Sequence, residues 1–225
     1  MSEGEKEIRT TEKRIFEELT FLADHILTME KLLLETLSRA LLKMSAGQLT
    51  DLSMNGRDEV RASEIERSVA AKSGEELSLF ASLAAQFAGA SAEIVSHYEA
   101  MGSEMGTAGQ LASDCYDIFQ AAHSKDLANG TRTLPIALYL EKASAWERRS
   151  FLELLDRSRK EDSCIKEIRG RLHEAGILKF CAFIIELHIQ RALKELREAQ
   201  ALEPASGELG RLIEKISFFK KGGTL

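Results

Sequence analysis

Apolar residues recur at threes and fours along most of this chain. The first and longest series is Ile15, Leu19, Leu22, Ile26, Met29, Leu33, Leu37, Leu41 and Met44, which is the spacing of one helix face. It predicts a helix from Ile15 that ends near Ser45-Ala46-Gly47, or bends there and continues to Leu52. Asn55-Gly56 then marks a loop over 53–57. Residues 1–14 are polar and are expected to fray. Ser63 followed by Glu66 has the form of a capping box and predicts a short helix over 64–71, with a break at Lys72-Ser73-Gly74 and a new helix from Glu75. That helix carries Ala81, Ala84, Ala85, Ala88, Gly89 and Ala92, small residues that let a neighbouring helix approach closely. It is expected to end near His97-Tyr98, with Gly102 and Gly106 flanking the entrance to the next. Beyond Pro135 the same periodicity predicts helices over 136–142, 145–155, 162–174, 177–201 and 209–219. Ala175-Gly176 and the stretch 203–207 are the breaks.

No segment alternates with the two-residue period of a strand, and only two prolines occur in 225 residues. Abundant Ala, Leu, Glu and Lys point the same way, to an all-α fold in a single domain spanning 1–225. With 44 % hydrophobic residues the chain can build a substantial core, in which Trp146, Phe218 and Phe219 are expected to pack, there or against a partner. The formal charge is −6, with acidic and basic residues interspersed, so no nucleic-acid partner is expected. Cys115, Cys164 and Cys181 have no metal-ligand spacing and read as reduced thiols of a cytoplasmic protein. The most apolar late run, 177–187, contains Lys179 and is too short to span a bilayer.

The stretch 105–135, MGTAGQLASDCYDIFQAAHSKDLANGTRTLP, holds the candidate chemistry. Residues three and four apart share a helix face, so Gln110, Asp114 and Asp117 line one wall. Lys125-Asp126-Leu127 follows, then Asn129-Gly130 as a turn, then Thr133-Leu134-Pro135, with Arg132 as a further cation. An acidic helix face followed by a basic loop suits a divalent metal bridging to a phosphorylated ligand. Upstream, Gln48 and Asp51 close the first helix as GQLTDL, which by itself reads as a polar helix end. Lys72-Ser73-Gly74 by itself reads as a helix C-cap, although backbone amides at the start of the helix from Glu75 would favour an anion there. His97 is assigned no role.

These pieces, in this order, resemble the trans-isoprenyl diphosphate synthases, the polyprenyl synthetase family. Its second aspartate-rich region reads FQxxDDxxD, then a loop, then KDLxxGKxTLP. Gln110, Asp114 and Asp117 match the first part, and Lys125, Asp126, Leu127, Gly130, Thr133, Leu134 and Pro135 the second. Ser113, Gly109 and Thr131 depart from the pattern. The short connection from Asp117 to Lys125 resembles the divergent branch that modifies competence pheromones. The resemblance implies an isoprenyl synthase-like helical bundle (the terpenoid synthase fold), shortened at its N-terminus. It also implies that Gln48 and Asp51 face the cavity, that Lys72 and Ser73 contact a diphosphate, and that Gln110, Lys125 and Arg132 belong to the same substrate site. Asp114 and Asp117 would be the catalytic carboxylates, holding Mg2+ for transfer from an allylic isoprenoid diphosphate.

The family's other acidic motif, DDxxD with a following arginine pair, does not occur in these 225 residues. Three readings therefore stand: a prenyl-transfer enzyme with an incomplete metal site, a non-catalytic subunit or regulator of a complete synthase, and a helical interaction protein whose acidic helix is only a solvated face. The shortened bundle is expected to leave one apolar side open, covered in a homodimer or in a heteromer with a complete synthase.

Overall fold

The computed structural model describes residues 3–218, and the side chains of these except for residues 3–12, Ile15 and His25. The places expected for Ile15 and Phe219 therefore lie outside the described residues. The described residues are helical, with no strand among them. The chain divides into two compact units, 1–39 and 40–225.

The first unit is the opening part of α1 (Glu3–Met54), so the helix already includes residues expected to fray. Its polar side is laced with i,i+4 ion pairs, Lys13–Glu17, Arg14–Glu18 and Lys31–Glu35. These have the acid on the C-terminal side and are exposed, so each adds only about 0.3 kcal/mol. The opposite stripe, with Leu19, Leu22 and Ile26, stands exposed.

In the second unit, the end of α1 runs on through Gly47 to Met54, the longer of the two courses expected for it. The turn follows at Gly56, which takes φ +74°. Then come α2 (Ala62–Val69) and α3 (Glu75–Phe87), joined through a wide π turn over Ala70–Gly74. Two expectations are corrected here. The capping box sits two residues earlier, with the Glu64 carboxylate accepting from the Arg61 amide at 2.9 Å, because Arg61 has the extended backbone a cap requires. Lys72-Ser73-Gly74 is no break: Gly74 has helical dihedrals and the helix passes through it, so no free helix start offers amides to an anion.

The actual break comes after α3, at Gly89 (φ +75°), and Ser91 caps α4 (Ala92–Phe119) through a bond from the Ile94 amide. Gly102 and Gly106 are therefore inside α4, not at its entrance, and both are buried. A Cβ at Gly102 would lie 2.5 Å from the Leu77 carbonyl oxygen, and one at Gly106 2.2 Å from that of Ser73. The two glycines let α4 lie directly on the π turn and α3. The alanines of α3 do something else: Ala81, Ala84 and Ala85, with Ala88 just past its end, border an apolar cavity of about 650 Å³ together with Met101, Leu202 and Leu209.

A five-residue helix, α5 (Lys125–Asn129), ends at Gly130 in the left-handed conformation. The rest are α6 (Leu134–Lys142), α7 (Ala145–Ser158), α8 (Ser163–Glu174), α9 (Ile177–Glu198) and α10 (Ala205–Glu214). Ser144 and Glu147 form a full capping box on α7. The core is centred on α4 and α9, where Leu111, Cys115, Ile118, Cys181, Ile185 and Ile189 are buried. Tyr139 and Phe151 stack beside it with ring centroids 4.2 Å apart. Phe218 packs against this core, whereas Trp146 is 77 % exposed.

Candidate functional site

Three segments of the second unit meet at the C-terminal half of α4. From the π turn, Lys72 Nζ reaches Asp51 Oδ2 of α1 at 2.6 Å, and Ser73 Oγ donates to Gln110 Oε1 of α4 at 3.1 Å. Gln110 Nε2 in turn donates to Asp114 Oδ1 at 2.7 Å. The acid wall is thus oriented from the π turn through an amide. Among the described residues no hydrogen-bond donor reaches Asp114 Oδ2.

Burial raises the Asp114 carboxyl to about 7, with Asp126 and Asp51 adding to the rise and the Gln110 bond and Lys72 opposing it. Burial likewise raises Asp126 to about 6, with Asp117 and Asp51 adding to it. The cation acting on both is Lys72, already bonded to Asp51. Asp51, Asp114 and Asp126 therefore share one half-buried ammonium, and the site is short of positive charge.

Asp117, one turn further along α4, is engaged differently. Its Oδ2 accepts from the Ser124 hydroxyl and, at 3.1 Å, from the Asp126 amide, while Oδ1 accepts from the Lys125 amide at 3.1 Å. The Lys125 side chain is exposed beside it. Gln48 is exposed on α1. Arg132 is brought elsewhere: it is buried, donates from Nε to the Arg57 carbonyl at 2.9 Å, and its charged neighbours are Asp156, Asp58 and Arg159.

Asp126 is the site residue that the spacing argument left out. It lies on another element, nine residues after Asp117, and the signal for it was its own place in the KDL motif. His188 of α9 was missed as well, an i,i+4 pattern giving no hint of its partners on two other helices. Its Nδ1 lies 2.5 Å from Glu104 Oε2 and its Nε2 3.6 Å from Glu66 Oε2.

The sequence profile of the polyprenyl synthetase family matches residues 10–172. The chain belongs to the polyprenyl synthetase family. None of the curated proteins compared with it matches. Among solved structures, the polyprenyl synthase of Roseobacter denitrificans superposes with a TM-score of 0.74 at 21 % identity, over 82 % of this chain and 62 % of that one. The geranylgeranyl pyrophosphate synthetase of Pyrococcus horikoshii gives 0.74 at 21 %, over 84 % and 58 %. The polyprenyl synthase of Caulobacter crescentus, solved with calcium and isoprenyl diphosphate, gives 0.73 at 21 %, over 82 % and 58 %. The all-α architecture is thus the isoprenyl synthase fold, and the chain spans about three-fifths of the length of these polyprenyl synthetase structures.

Among the described residues no group of three or more His, Cys, Asp or Glu side chains is disposed to hold a metal ion alone. Magnesium delivered with a phosphate asks for less, one or two carboxylates with water and phosphate oxygens completing its shell. Asp114, with one oxygen free of donors, and Asp126 fit that demand.

Proposed function

We propose that this chain binds an isoprenoid diphosphate together with Mg2+ and serves prenyl transfer from an allylic diphosphate. The carrying observation is the charge deficit: two carboxylates held at about 7 and about 6 beside Lys72, which Asp51 already engages. A strongly anionic diphosphate alone would be repelled there, whereas a divalent cation both relieves the carboxylates and attracts the diphosphate. Asp114 and Asp126 receive the metal, Ser73 and Gln110 hold Asp114 in place, and Lys72 and Lys125 supply charge to the diphosphate. Mg2+ held there would supply Lewis-acid charge to the diphosphate leaving group of an allylic substrate. The family match supports this reading, as does the calcium and isoprenyl diphosphate in the Caulobacter crescentus structure.

A second reading, a subunit or regulator that binds the diphosphate for a complete synthase, is favoured by a specific absence. No DDxxD occurs in these 225 residues, and a partner synthase would supply the facing acidic wall. A homodimer or such a heteromer in the cytoplasm accommodates either reading, and the short 117–125 connection resembles that of the divergent pheromone-modifying branch.

Calorimetric titration of Mg2+ with geranyl diphosphate at pH 6 and pH 8 tests the binding. Asp114 must lose its proton to take the metal, so affinity rises with pH across about 7 and binding releases protons. Asp114→Asn abolishes metal-dependent binding. Metal-independent or pH-independent binding, or an unchanged Asp114→Asn isotherm, would refute the proposal. Co-purification of a complete synthase, with turnover only in the complex, separates the second reading from the first.

A further inference from the structure

We infer that Asp117 is a positioning residue: its carboxylate pins the first turn of α5 to α4 and thereby places Asp126 and Lys125 in the site. The inference rests on the diphosphate-binding reading above for the purpose that the placement serves.

Both oxygens of Asp117 are engaged by one short segment. They take the Ser124 hydroxyl and the backbone amides of Lys125 and Asp126. Ser124 Oγ at the same time accepts from the Leu127 amide at 3.2 Å. Together Asp117 and Ser124 satisfy three successive amides, 125, 126 and 127, that a helix start leaves without intrahelical partners. A five-residue helix has too few internal bonds to hold itself; the cap on one side and buried Leu127 on the other fix it. Asp126 is thereby held where its carboxylate feels Asp117 and Asp51, and where it in turn acts on Asp114.

The contrast with Asp114, three residues earlier on the same helix, separates the two roles. Asp114 has one hydrogen bond and an oxygen with no donor, while Asp117 is the acceptor of three bonds and serves another segment's backbone. An aspartate motif with both carboxylates on one helix face therefore divides into one residue for the ligand and one for the loop.

Two measurements on the intact chain test this: hydrogen exchange of residues 121–130, and titration of Mg2+ with inorganic pyrophosphate. Asp117→Ala is expected to speed exchange at Lys125, Asp126 and Leu127 about tenfold and to weaken magnesium pyrophosphate binding. Ser124→Ala removes part of the same cap and no carboxylate, so it should move both readouts in the same direction. Asp117→Asn keeps one carbonyl acceptor and should fall between wild type and Asp117→Ala. Asp114→Asn should abolish binding with exchange in 124–127 unchanged. If Asp117→Ala abolished binding while Ser124→Ala left it untouched, Asp117 would be a ligand and the inference overturned. Unchanged exchange in Asp117→Ala would overturn it too. If the wild-type protein bound no magnesium pyrophosphate, the functional reading would fall, and the exchange arm would still decide whether Asp117 holds the loop.

Discussion

His188 gives the protein a stability that should disappear between neutral and alkaline pH. Burial disfavours the imidazolium, yet bonds to Glu104 and Glu66 outweigh it and raise the group from an ordinary 6.5 to about 9. The side chain is only 10 % exposed, so the pair is shielded from solvent more than a surface ion pair is. A group whose folded pKa lies above its unfolded one stabilises the fold fully below the unfolded value. It loses that contribution as pH rises through the folded value. The rise from 6.5 to about 9, at about 1.4 kcal/mol per pH unit, comes to about 3 kcal/mol. The two glutamates are partly hydrated, which makes this an upper value. The assay is urea unfolding of wild type and His188→Gln at pH 6, 7.5 and 9.5. Titrations of groups remote from residue 188 cancel in the difference between the two proteins, so that difference reports the histidine with its two glutamates. It should be largest at pH 6 and shrink by up to about 3 kcal/mol by pH 9.5. A difference that stays constant with pH would show that His188 is held neutral and that the α2–α4–α9 contact is not ionic.

Two further substitutions probe how the site is held. Gly106→Ala should destabilise by about 3 kcal/mol, since its Cβ would meet the Ser73 carbonyl oxygen at 2.2 Å; an unchanged urea midpoint would mean α4 does not lie on the π turn. Arg169→Ala should cost about 2 kcal/mol, because its guanidinium closes the end of α4 through the Ile118 carbonyl at 2.6 Å and the Ala121 carbonyl at 2.5 Å. Thermal unfolding reads this, and a shift no larger than that of an exposed arginine such as Arg149 would refute it.

Helical spacing made the fold legible because each helix buries one face, and burial leaves its period in the sequence whatever the partner. From Pro135 onward the expected helices start within a residue or two of those observed, apart from α10, which begins at Ala205 rather than 209. The misread stretch was 72–106, where glycine carries two opposite meanings. Gly89 ends a helix by taking positive φ, while Gly102 and Gly106 sit in mid-helix for lack of a Cβ. Local propensity alone cannot tell these apart. The same ambiguity turned Gly74, a residue of a continuous helix, into an expected break. In the candidate site, Asp51, Lys72, Ser73, Gln110 and Asp114, which the motif order had singled out, lie together in the structure. Arg132 turns elsewhere, its guanidinium donating to the Arg57 carbonyl, a partner 75 residues away that no local spacing announces.

The glycines and the site are linked by helix geometry. Gly106 and Gln110 are one turn apart and share a face of α4. Where Gly106 allows the Ser73 backbone to touch α4, the Ser73 side chain falls within reach of Gln110 one turn on, and Asp114 follows one turn beyond that. A side chain at 106 would lift the π turn away and break the chain from Ser73 through Gln110 to Asp114 at its first link. At the other end of the acidic wall, Asp117 anchors α5 by its backbone, so Asp126 acts electrostatically on Asp114 without belonging to the helix. Each carboxylate proposed for the metal is therefore placed by a neighbour that need not touch the ligand. That arrangement explains how like charges are kept together against their own repulsion. Burial already holds Asp114 and Asp126 partly protonated near neutral pH, and the close contact at Gly106 and the cap at Asp117 supply the rigidity that such a cluster requires.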